Sequence, residues 1–98
     1  MSYKVLLRTE AETDLLDAAK YYEEKLIGLG TEFITSVETT FQSISHQPAS
    51  FPLVYKHIRR ALIRKFPFGI HYIIEETRIV VLAVFHFSRD PKNWKNRK

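Results

Sequence analysis

The sequence predicts an α+β domain of two layers, with a helical hairpin packed on a mainly antiparallel four-stranded sheet. Two observations carry this. Between Thr9 and Ser45 apolar residues recur every three or four positions, and from Tyr55 onward they recur every second one. A strand-like segment, SYKVLLR, precedes the helices, so the element order is βααβββ. The 98 residues fit a single domain, 1–98, and 45% hydrophobic content is enough to fill the space between two layers.

SYKVLLR alternates and is rich in strand formers. Thr9 and Glu12 then form a T-x-x-E capping box, which predicts a helix start. Ala11, Leu15, Ala18, Tyr22 and Leu26 lie on one stripe of that helix. Asp14, Asp17, Lys20, Glu23 and Glu24 fall between them and are expected to face water. The GLG at Gly28–Gly30 breaks the helix, because glycine accepts left-handed backbone. A second helix is expected from about Thr31 to Ser45, with Phe33, Ile34, Val37, Phe41 and Ile44 on its apolar side. Leu15 and Phe41 are expected in the core between helices and sheet.

HQPASFP holds two prolines and must be a loop. Beyond it the period is two, so Arg60 and Arg64 are expected on one side of a strand, with Arg59 and Lys65 on the other. Phe68, Ile70, Tyr72 and Ile74 form one face of the next strand, and EETR turns the chain. IVVLAVF is apolar on both faces, which predicts an inner strand and an apolar sheet face open to a partner. In the tail, Asp90 and Pro91 read as a helix cap and first helical position, with Trp94 as anchor.

A net charge of +4 and a sequence pI near 9.5 favour an acidic partner. The absence of cysteine excludes disulfides and thiolate chemistry. The four histidines have no metal-like spacing, and no phosphate-binding glycine loop or Ser–His–Asp order occurs, so neither metal nor cofactor is expected. No apolar run approaches the ~20 residues of a membrane helix. The N-terminus turns polar too early for a signal peptide. The protein is expected to be soluble and cytoplasmic.

GLGTEF, HQPASFP, RRALIRKFPFGIHY and VLAVFHFSRDPKNW, in βααβββ order, resemble the RelE/ParE toxin superfamily over almost the whole chain. The nearest branch is the ParE-like plasmid stabilisation proteins. The resemblance implies a RelE-like fold and a type II toxin–antitoxin toxin, neutralised by a cognate antitoxin. RelE-like members cleave messenger RNA on the ribosome, whereas ParE-like members are associated with poisoning DNA gyrase.

Cleaving RNA through its own 2′-hydroxyl needs a base, an acid and cations around the phosphate. The candidates here are His86, Arg64 and Arg89. In RelE-like nucleases a tyrosine often follows the histidine, and a strand arginine stabilises the transition state; Phe87 and Gly69 stand at the matching places. Two parts of the nuclease are therefore missing. His86 has a structural alternative, closing its strand by bonding a backbone carbonyl or Asp90. Arg59, Arg60, Arg64, Lys65 and Arg89 read as docking cations for phosphate or for antitoxin carboxylates, or as a solvated edge. The favoured reading is a gyrase-binding toxin. The alternatives are a ribosome-dependent endonuclease and a degenerate, non-toxic antitoxin-binding member. Assembly as a homodimer or as a toxin–antitoxin hetero-oligomer stays open.

Overall fold

Change of apolar period marks the change of layer: both helices lie on one face of a sheet built almost entirely from the second half of the chain. The computed structural model describes residues 2–88. The elements are β1 Lys4–Leu7, α1 Thr9–Lys25, α2 Leu29–His46, a helical turn Pro48–Ser50, β2 Leu53–Tyr55, β3 Ile58–Leu62, β4 Phe68–Glu75 and β5 Arg78–His86. Asp90, Pro91 and Trp94 lie outside the described residues, so the expectation of a capped tail does too. The sheet order is β1-β5-β4-β3-β2, with β1 parallel to β5 and the other pairs antiparallel.

The sheet has five strands where four were expected. The extra one, β2, is only three residues long and follows Pro52, too short for periodicity to register. As expected, β5 is an inner strand, flanked by β1 and β4. Alternation along it sorts its side chains: Ile79 and Val81 join the core beneath the helices, and Val80 and Leu82 join a cluster on the opposite face.

The main core holds Ala11, Ala18, Phe33, Val37, Ile44, Ala61, Ile70, Tyr72 and Val84. Phe33 is its aromatic hub, with ring centroids 5.4 Å from Tyr22 and 5.1 Å from both Phe66 and Phe68. Leu15 and Phe41 are half-buried at the rim of this core, not inside it. Leu26, expected on the buried stripe, is 62% exposed, because α1 ends at Lys25 and the chain leaves in extended conformation.

The expected capping box does not form. Arg8 is the N-cap of α1, no side chain caps it, and Thr9 is already helical. The cap lies elsewhere: Glu23 of α1 accepts from Gly28 N at 2.9 Å and from Gly30 N at 3.0 Å, closing the N-terminus of α2 with a carboxylate. Gly28, at φ 91°, is the N-cap of α2, which begins two residues earlier than the pattern suggested. Asp14 is no water-facing residue either. It accepts from Val84 N at 3.1 Å, on the edge of β5 beyond the last paired residue of β1.

Tyr72 is fully buried and donates to the Pro48 carbonyl at 2.6 Å, which ties β4 to the turn after α2. Burial pushes its phenol up to about 12, although nearby Arg59 pulls the other way. The folded phenol thus holds its proton above the unfolded value of 10.0. Its stabilising contribution is complete below about pH 10 and is lost as pH rises through about 12. Denaturant midpoints followed by circular dichroism should fall across this window, and Tyr72→Phe should flatten that part of the fall. Equal slopes in both proteins would show that Tyr72 keeps no proton on folding.

Candidate binding surface

Charge is divided between the two layers. Residues 9–46, which hold both helices, carry eight Asp/Glu and two Lys, and the other described residues carry eight Lys/Arg and two Asp/Glu. The modest net charge conceals a helical layer of one sign and a remainder of the other. Such a molecule presents one side to a polyanion and repels it with the other.

The expected cationic strips do not form. β3 ends at Leu62, and Arg64 and Lys65 sit in the connection to β4, with Lys65 in the left-handed region at φ 72°. Pro67 explains the early stop, since proline cannot donate to a ladder and restricts the residue before it. Arg59 lies on the helix side of the sheet, and its Nη1 donates to Phe51 O at 2.6 Å and Ala49 O at 3.2 Å. It is a clasp on the loop after α2, with its charge already partnered by carbonyls. Arg60 is paired with His71 on the opposite side. Its aliphatic stem fills the space over Gly69, where an added Cβ would stand 3.0 Å from Arg60 Cγ and Cδ.

His86 ends β5 opposite Phe68, on the helix side, with ring centroids 5.3 Å apart. Its Nδ1 accepts the Ser88 backbone N–H at 3.0 Å, with Ser88 Oγ at 2.8 Å. The expected carbonyl partner is thus replaced by an N–H donor two residues on. A backbone N–H only donates, so the neutral ring carries its proton on Nε2. Neutral His86 consequently has no lone pair open to a substrate; to act as a base it must give up Ser88. Arg60 and His86 stand on opposite faces of the sheet and cannot share one phosphate. No hydrogen bond joins His86 to Arg64, and Arg89 lies outside the described residues.

His71, on the face away from the helices, is 4% exposed with its ring centroid 5.9 Å from that of Phe85. His46 and His57 are exposed, and no group of three metal-ligating residues occurs among the described residues. Among the described residues, no helix is long and apolar enough to cross a membrane.

The face away from the helices was expected to be open. Its centre is already buried: Ile58, Leu82, Ala83 and Phe85 are at most 2% exposed. The apolar surface left there is at the rim, where Leu62 and Phe87 are each more than half exposed.

Residues that the pattern did not mark as functional lie on α2. Its outward side is rich in hydroxyls, and Thr35, Ser36, Thr39 and Thr40 line a depression of about 250 Å³ together with Arg64 and Lys65. The run of Ser and Thr from Thr31 to Ser43 was the available signal, but alone it reads as a merely polar helix face.

A helical hairpin over one face of a mixed sheet, with a parallel β1–β5 pair at its edge, fits the RelE-like fold that the resemblance implied. Residues 5–91 match the family model described as the ParE toxin of the type II toxin–antitoxin system parDE, and the chain belongs to that family. Its fold is similar to a chain of the chromosomal ParDE toxin–antitoxin system from P. aeruginosa, with TM-score 0.74 and 14% identity over 87% of this chain and 96% of that one. It is also similar to a chain of the toxin–antitoxin complex RelBE2 from Mycobacterium tuberculosis, with TM-score 0.59 and 25% identity over 88% of this chain and 99% of that one. Comparison with curated protein sequences found no match.

Proposed function

We infer that this toxin acts in the cytoplasm by gripping a protein target without cutting nucleic acid, and that a cognate antitoxin neutralises it. DNA gyrase is the target that the resemblance to ParE-like proteins implies. The observation that carries the reading is the state of His86. Its Nδ1 is taken by Ser88; of the two β3 arginines, Arg60 lies on the other face of the sheet and Arg59, on the same face, is held by the Phe51 and Ala49 carbonyls. General acid–base catalysis needs an available lone pair and a cation at the same phosphate, and neither supports a nuclease here. The antitoxin is assigned to the rim of the far sheet face, where exposed Leu62 and Phe87 offer apolar contact next to the half-buried Arg60. The two named complexes of similar fold are consistent with such a partner.

The test is a supercoiling assay with purified gyrase, relaxed plasmid and a molar excess of the folded chain. Supercoiling should fall, with linear plasmid accumulating. Full supercoiling at every ratio would remove gyrase as the target.

A further inference from the structure

We propose that the β3–β4 connection and the hydroxyl side of α2 form a phosphate site that takes the backbone of duplex DNA. Arg64 and Lys65 stand on one wall of the depression, and Thr35, Ser36, Thr39 and Thr40 of α2 stand on the other. The Thr39 and Thr40 hydroxyls are committed to their own helix, donating to Thr35 O at 3.0 Å and to Ser36 O at 2.9 Å. Thr40 is only 7% exposed and closes the floor. The hydroxyls of Thr35 and Ser36 make no hydrogen bond among the described residues and remain available as donors.

The two cations are available as well. Arg78 is paired with Glu75 at 3.1 Å, Arg59 is held by two carbonyls, and Lys25 and Lys56 lie over the rings of Tyr21 and Tyr55. Arg64 and Lys65 are exposed, and neither forms an ion pair or hydrogen bond among the described residues. Neither carboxylate of α2, Glu32 or Glu38, forms an ion pair with them among the described residues.

A guanidinium, an ammonium and two hydroxyls match a tetrahedral oxyanion with several acceptor oxygens better than a planar carboxylate with two. No aromatic ring lines the depression, so nothing there stacks on a base, and the contact is to backbone alone. Duplex DNA, whose bases are already stacked away, suits such a site. Six of the eight helical carboxylates lie on α1 and only Glu32 and Glu38 on α2, so the field turns the β3–β4 end, and not α1, toward the polyanion. The inference stands apart from the identity of the protein target and from the antitoxin surface, which uses the other face of the sheet.

Fluorescence anisotropy with a labelled duplex of about 20 bp, at roughly 50 to 200 mM salt, tests it on the full chain. Wild type should bind with an affinity that falls steeply with salt. The double variant Arg64→Gln, Lys65→Gly should bind about tenfold more weakly at the lowest salt, with a log–log salt slope shallower by about 2, one unit per lost phosphate contact. Lys65→Gly alone should raise the unfolding midpoint, because it removes a side chain from left-handed backbone, while weakening DNA binding. That opposition separates a binding defect from a folding defect. Arg78→Gln, at a cation already paired, should keep the wild-type slope. The proposal is overturned by a wild type that does not bind at the lowest salt, or by a double variant with unchanged slope. It is equally overturned by an Arg78→Gln variant as weak as the double one, or by polyglutamate competing as well as unlabelled duplex.

Discussion

Phe33→Ala is expected to lose about 3–5 kcal/mol of stability, the usual cost of removing a fully buried phenyl ring. Phe33 has no exposed surface, and its ring is packed by Tyr22 from α1 and by Phe66 and Phe68 from the sheet layer. With Tyr22 it therefore joins both helices to the sheet end where Phe68 pairs with His86. A domain of this size has about 5–15 kcal/mol in total, so the variant should be close to unfolding at growth temperature. Phe41→Ala should cost clearly less, since Phe41 is only half-buried. Urea unfolding of the two variants side by side checks the layer assignment, and equal losses would contradict it.

Gly30→Ala should destabilise by about 1–3 kcal/mol, although alanine is the better helix former by about 1 kcal/mol. An added Cβ would stand 2.6 Å from the carbonyl oxygen of Ala19 and 3.0 Å from Glu23 Cβ and Oε1. The carbonyl is backbone of α1 and cannot swing aside. Moving α2 outward instead would pull Gly28 and Gly30 away from the Glu23 carboxylate that caps them. Gly28→Ala is the matched comparison: nothing lies within 4 Å of its Cβ, so its cost is only that of a left-handed alanine at φ 91°. A Gly30→Ala variant more stable than wild type would show that the helices do not meet this closely.

The contrast between these two glycines shows where the sequence was legible. GLG announced a break between helices, and the period of three to four named Phe33, Val37 and Ile44 as core, because both signals are local. It was silent on which glycine supplies the left-handed residue and which supplies the close approach, since the second depends on a carbonyl eleven residues away in the other helix. Asp14 and Glu23 were read as solvated because a carboxylate between apolar positions usually is. Their partners, Val84 N and the start of α2, are set by the tertiary fold. The site fared similarly. Alternation alone carried β3 on to Lys65, and Pro67 was the residue that argued against it. Once the strand ends at Leu62, Arg60 and Arg64 part company, and Arg64 with Lys65 meets α2 hydroxyls that no local pattern connects to them.

These placements support a toxin that holds its target, since the His86 Nδ1 lone pair is taken by Ser88, Arg59 is held by backbone carbonyls and Arg60 lies on the other face of the sheet. The most direct measurement is to incubate the purified chain with programmed ribosomes, map the message ends, and follow growth arrest for wild type and His86→Ala in parallel. Intact message is expected with both proteins, together with a His86→Ala variant that arrests growth in proportion to the folded protein present. Codon-specific cleavage of ribosome-bound message by wild type, lost in His86→Ala at unchanged thermal stability, would contradict this expectation.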